Sequence, residues 1–184
     1  MKRKLYIVLA VLMIVMLAAS PVLAGGAIKL SGSVSSSWPL HLDGDLYGVG
    51  GYTEGVYVTL DGFGKITNAT CGTPGNSNLA PGQNGDIFAE GIQQIGFKQI
   101  DKKGHAEVHV RADQIKLSVD VCPNDNWDAS YDIVWDHAIV QVFDTASDDL
   151  LLWQYYYPCK PDLNNPEPGH YVCTLKDEVR YHNN

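Results

Sequence analysis

Residues 48–84 read GVGGYTEGVYVTLDGFGKITNATCGTPGNSNLAPGQN, and their pattern decides the fold class. Val56, Val58 and Leu60 alternate with Tyr57, Thr59 and Asp61, the period of two that belongs to a half-buried strand. Asp61-Gly62 and Gly64 supply turn residues, so Lys65 to Cys71 is expected to return as the second strand of a hairpin. Gly72 then opens a polar loop to about Gly85, punctuated by Pro74, Gly75, Pro81 and Gly82.

The same period recurs on both sides of this stretch. Upstream, Ile28, Leu30, Gly32 and Val34 alternate with polar residues, and Trp38-Pro39 leads into Leu40 to Leu46. Downstream, Ile87 to Ile100 holds one or two short strands, and Asp101 to Gly104 is a turn. Ala106, Val108 and Val110 form the inner face of a strand over His105 to Arg111, and Ile115, Leu117, Val119 and Val121 alternate up to Cys122. Tyr131 to Asp144 and Leu150 to Tyr157 pair as a hairpin with a polar tip, and a short final strand lies around Tyr171 to Leu175. No helical periodicity follows residue 25. Eight or nine short strands with turn signals every ten or so residues predict an all-β protein, an Ig-like antiparallel β-sandwich, with a small β-barrel as the alternative.

Residues 1–24 read as a secretory signal peptide: Met1-Lys2-Arg3-Lys4 is positive, Leu5 to Ala19 is apolar, and Val22 and Ala24 stand at the −3 and −1 positions of a cleavage site. The rival reading, an uncleaved anchor, has an apolar run of only about 15 residues where a spanning helix needs about 20. Residues 25–184 are then one secreted domain, large enough for a sizeable core, with no stable membrane span. Loss of Lys2, Arg3 and Lys4 takes the net charge from −8 to −11, which repels nucleic acid and anionic lipid. Cys71, Cys122, Cys159 and Cys173, four cysteines behind a leader, read as disulfides with three possible connectivities. Cys71–Cys122 and Cys159–Cys173 is the favoured pairing, the second closing a Pro/Asn/Gly-rich loop; on the chain-entropy account they are worth about 4 and about 3 kcal/mol.

Gly48-Val49-Gly50-Gly51, Val56 to Leu60, Cys71, Asn78-Leu79-Ala80-Pro81-Gly82-Gln83-Asn84 and Cys122-Pro123-Asn124-Asp125-Asn126-Trp127 together resemble a group of small secreted bacterial proteins. Those carry a glycine-rich first strand, an APGQN loop and a CPNxNW segment, over what are here residues 40–145. The chain departs from that pattern at Gly72-Thr73-Pro74-Gly75, where a Thr-Asn-Pro run is more usual. The group has no established activity; the resemblance implies a secreted β-sandwich and the Cys71–Cys122 pair, and supplies no catalytic residues. The sequon Asn68-Ala69-Thr70 is accordingly expected to carry no glycan.

Three sets of residues carry possible chemistry. Asp43, Asp45 and Glu54, with Gly48 between them, have the spacing of a calcium loop, but Tyr47 stands at a ligand position and flanking helices are missing. His105 and His109 share one strand face with Glu107, and a zinc site there would need His137 or Asp136 as a further ligand. The competing reading is a solvated outer face. Trp153, Tyr155 and Tyr157 point one way along their strand and Tyr156 the other, so one set is core and an exposed set would stack on sugar rings or anchor a protein. No G-x-S-x-G, H-E-x-x-H or P-loop occurs. The expected role is a non-catalytic binding or cell-surface interaction module for a glycan or a cell-surface protein, without a cofactor. The alternatives are a metal-dependent domain, calcium-stabilised or a zinc hydrolase, and a structural assembly subunit.

Overall fold

The computed structural model describes residues 27–37, 39–73, 79–165 and 169–181. The expected leader, Trp38 and residues 74–78 of the polar loop lie outside them. The described chain is all-β and antiparallel. Its strands are β1 Lys29–Ser37, β2 Leu40–Tyr47, β3 Val56–Gly72, β4 Leu79–Pro81, β5 Asp86–Ile95, β6 His105–Ala112, β7 Gln114–Leu117, β8 Asp128–Asp144, β9 Leu150–Pro161 and β10 His170–Arg180, with one 3-10 turn at Phe97–Gln99. They run in one hydrogen-bonded order, β6-β2-β1-β10-β9-β8-β3-β5-β7, and β4 pairs with β3.

The two ends of this sheet meet through a single run of chain. Residues 105–112 pair with β2, and residues 114–117 pair with β5. At the crossing, a Cβ on Gly91 of β5 would lie 2.1 Å from the Arg111 carbonyl oxygen, so only glycine permits the approach. Gln93 bridges the seam beside it: its Nε2 donates to the Glu107 carbonyl at 3.4 Å, and its Oε1 accepts from the His109 backbone N–H at 2.6 Å. The sheet is thereby nearly closed. Its halves face each other as in a sandwich, while the strand order stays continuous as in a small barrel.

The core is the inner face of this rolled sheet. Leu40, Leu42 and Leu46 of β2, Val56, Val58 and Leu60 of β3, Val108 and Val110 of β6, and Val140 and Val142 of β8 are all buried. Each contributes about 1.5–3 kcal/mol relative to an exposed side chain. The alternation expected for β6 is present, as is the β8–β9 hairpin. Both disulfides form as paired in sequence: Cys71–Cys122 ties the end of β3 to the loop before β8, and Cys159–Cys173 joins register partners on β9 and β10.

The hairpin expected within residues 56–71 does not form. Val56–Gly72 is one 17-residue strand, flanked by β5 and β8. Gly62 and Gly64 have no positive φ; they serve packing. A Cβ on Gly62 would meet Leu40 Cδ2 at 2.6 Å and Trp135 Cζ3 at 3.1 Å, and one on Gly64 would meet the Val134 carbonyl oxygen at 2.6 Å and Trp135 Cε3 at 3.1 Å. The buried indole of Trp135 borders both positions, with Leu40 closing on Gly62 and the Val134 carbonyl on Gly64. Two further expectations change. The strand after Gln114 stops at Leu117, with all four of its residues exposed, and the final strand extends to Arg180.

Candidate binding face

Register on β3 and β8 builds the candidate site. Phe63 pairs with His137, but Gly64 pairs with Trp135, so Asp136 is the extra residue of a β-bulge. The bulge resets the alternation: Trp135 and Ala138 both point inward, and Asp136 and His137 sit consecutively toward solvent. His137 Nδ1 and Asp136 Oδ2 are 2.7 Å apart in a hydrogen bond. The other face of this arrangement is aromatic. The Phe63 and His137 rings stack at 4.5 Å and 10°, and Phe88, the register partner of Phe63 on β5, leans on Phe63 at 5.1 Å and 55°.

These rings border a cleft of about 750 Å³ that reaches across β7, β5, β3 and β8. Lys65, Asp86, Lys116, Ser118 and Asp136 bring polar groups to it, and Trp135 and Gly64 also line it. Lys116 lies 5.5 Å from the Phe88 centroid and hydrogen-bonds Glu90 at 2.9 Å. Glu90 stands opposite Asp61 in register. Burial, and then the Glu90 charge, push the Asp61 carboxyl above its ordinary value, with Lys116 acting in the opposite sense.

The aromatic surface continues onto β9. Tyr155 contacts His137 at 5.4 Å, and Trp153, Tyr155 and Tyr157 run along the strand with parallel rings, 5.9 and 6.2 Å apart. Lys176 stands 5.0 Å from the Tyr157 centroid. Tyr156 is directed into the core, where its hydroxyl donates to Gln154 Oε1 at 2.8 Å. Burial, with a smaller contribution from Glu178, pushes its pKa up to about 12. Buried Gln154 in turn donates to the Leu30 carbonyl at 3.0 Å and to Glu178. Trp153, Tyr155 and Tyr157 therefore remain on the candidate face, and Tyr156 is a core residue.

The metal candidates lie elsewhere. Asp43 and Asp45 are two residues apart on β2, and Glu54 is in the exposed turn before β3, so the calcium loop does not form. Asp43 and Asp45 are strand residues because Leu40, Leu42 and Leu46 bury the opposite side of β2. Asp43 accepts from His109 Nδ1 at 2.8 Å, and Asp45 Oδ1 lies 2.9 Å from His105 Nε2. The hydrogen bond to Asp43 raises the His109 pKa. His137 and Asp136 are on β8, four strands away from β2 in the sheet order, and do not join His105 and His109. Among the described residues no three His, Cys, Asp or Glu side chains are grouped to hold a metal ion. No described helix is long and apolar enough to cross a membrane.

Phe63 and Phe88 escaped the sequence reading. Each is an aromatic on the polar side of its strand, Phe63 among Thr59, Asp61 and Lys65 and Phe88 between Asp86 and Glu90, and only the register of β3 with β5 brings them together. The bulge left a weak trace, because Trp135 and Ala138 are three apart where period two requires an even step. Compared with protein-family models, curated proteins and solved structures, the chain matches none of them.

Proposed function

We propose that this chain is an exported, disulfide-bonded, non-catalytic binding module that holds its ligand on the aromatic face of β5, β3, β8 and β9. The observation that carries this reading is the unbroken series of ring contacts from Phe88 through Phe63, His137 and Tyr155 to Trp153 and Tyr157, beside a cleft of ligand size. Aromatic rings kept at a surface offer large, rigid contact area at low entropic cost. Export is supported by the leader-like N-terminus, by the two disulfides and by the resemblance to small secreted bacterial proteins.

The reading is tested by screening the oxidised protein against glycans, polymers and cell-surface proteins, beside the Trp153→Ala/Tyr155→Ala variant. The expected result is a ligand whose binding falls by at least about tenfold in the variant, the scale of losing aromatic contacts. A correctly folded protein that binds nothing in the screen, or whose binding ignores the substitution, would count against it.

A further inference from the structure

The chemistry around the cleft narrows the ligand class. Its centre is apolar and angular: Phe63 and Phe88 meet at 55°, and His137 backs Phe63 from the other side. Its polar groups stand on two sides of those rings, Asp86, Lys116 and Ser118 at the β5–β7 side and Asp136 on β8. The bulge directs Asp136 to solvent, and His137 Nδ1 engages one of its carboxylate oxygens, Oδ2. Two lysines and two aspartates line the cleft, so no excess of one sign selects an ionised ligand.

A pyranose ring suits each of these features. Its C–H face packs on an aromatic ring as other apolar surface does. Its rim of hydroxyls, each donor and acceptor at once, meets carboxylates and ammonium groups on both sides through charge-assisted hydrogen bonds. A fatty chain would leave those charged groups desolvated and unpaired, and an anionic polymer would approach a protein of net charge −8 against repulsion.

We propose that the cleft is a saccharide site that takes an uncharged sugar unit, packed against the angle between Phe63 and Phe88, with Asp136 as the hydroxyl-reading residue. The proposal rests on the binding-module reading and specifies its ligand. A chain extending from that unit passes onto the contiguous ring of Tyr155 and the ladder of Trp153 and Tyr157.

The test is calorimetric titration of the oxidised protein with neutral gluco-, xylo- and N-acetylglucosamine oligosaccharides, and with oligogalacturonate as the charged comparison. At least one neutral oligosaccharide is expected to bind in preference to oligogalacturonate. Phe63→Ala is expected to weaken that binding by at least about tenfold, and Asp136→Asn, which keeps the shape, by roughly five- to tenfold. The solvent-exposed Asp136→Asn keeps the test decisive where Phe63→Ala fails to fold, as judged by its melting curve. Preference for oligogalacturonate, or neutral binding indifferent to Asp136→Asn and to a folded Phe63→Ala, overturns the proposal. If no saccharide binds but another ligand does, in a manner sensitive to Trp153→Ala/Tyr155→Ala, the saccharide class falls and the binding module stands. If nothing binds, both fall.

Discussion

Two outer faces of the same rolled sheet are built from opposite chemistry. The face of β2 and β6 carries His41, Asp43, Asp45, His105, Glu107 and His109, and these side chains are engaged with one another: His109 and His105 with Asp43 and Asp45, and His41 with Asp43 at 3.6 Å. It follows a regular register without a bulge. The face of β5, β3, β8 and β9 carries rings, a bulge and the cleft. Asp43 meets His109 through one carboxylate oxygen and His41 through the other, and Asp45 is hydrogen-bonded to His105, so the β2–β6 face has little left to offer a further ligand. Rings and a bulge-presented carboxylate beside an open cleft have contact area left to offer. The difference teaches that the residues with the richest ligand chemistry in sequence were the ones the fold satisfied internally.

That contrast can be broken at its base. Trp135→Ala removes the indole that borders Gly62 and Gly64 and lines the cleft. It is expected to cost about 3–5 kcal/mol of stability, measured by denaturant unfolding, and to abolish binding on the aromatic face. A loss below 1 kcal/mol would mean that the indole does not hold β3 and β8 in their register.

Asp61 sharpens the contrast in the opposite direction. Burial and Glu90 raise its pKa, so ionising it opposes folding. A carboxyl raised in the folded state is unfavourable once ionised; the penalty is full at neutral pH and vanishes as pH falls below the unfolded value of 3.8. Asp61→Asn is therefore expected to raise the melting temperature at pH 7 by an amount worth less than about 1 kcal/mol, given its partial exposure, and to give no advantage near pH 3. Destabilisation at pH 7 would show that the carboxylate is held by favourable contacts.

The smallest effect belongs to the paired face. His109 has a raised pKa from Asp43 and then from nearby charge, so the protonated pair stabilises the fold. That contribution is present below the unfolded value of 6.5 and is lost as pH rises through the raised folded value. His109→Gln is expected to lower the melting temperature slightly at pH 5.5 and to match the wild type at pH 9. An equal difference at both values would assign the effect to packing.

Much of the fold was legible because alternation is local: β6 and the β8–β9 hairpin follow from residues two apart, and the direction of Tyr156 against Tyr155 follows from the same rule. Gly62 and Gly64 misled because Asp-Gly is a turn signal in sequence, whereas the side chain that borders both, Trp135, lies some seventy residues away. Asp43, Asp45 and Glu54 have the count of a calcium loop, but Asp43 and Asp45 also have the alternation of a strand, and the buried leucines of β2 decided between the two. The site was half visible. Trp153, Tyr155 and Tyr157 follow from periodicity, but Phe63 and Phe88 become a site only through strand register, which no single segment encodes.

Amide chemical-shift mapping during titration of the labelled, oxidised protein with its tightest-binding neutral oligosaccharide compares the two faces within one sample. The expected perturbations centre on Phe63, Phe88, Asp136, His137 and Tyr155 and leave Asp43, Asp45, His105 and His109 unmoved. Perturbations concentrated on β2 and β6, with the aromatic face silent, would contradict the assignment of function to the aromatic cleft.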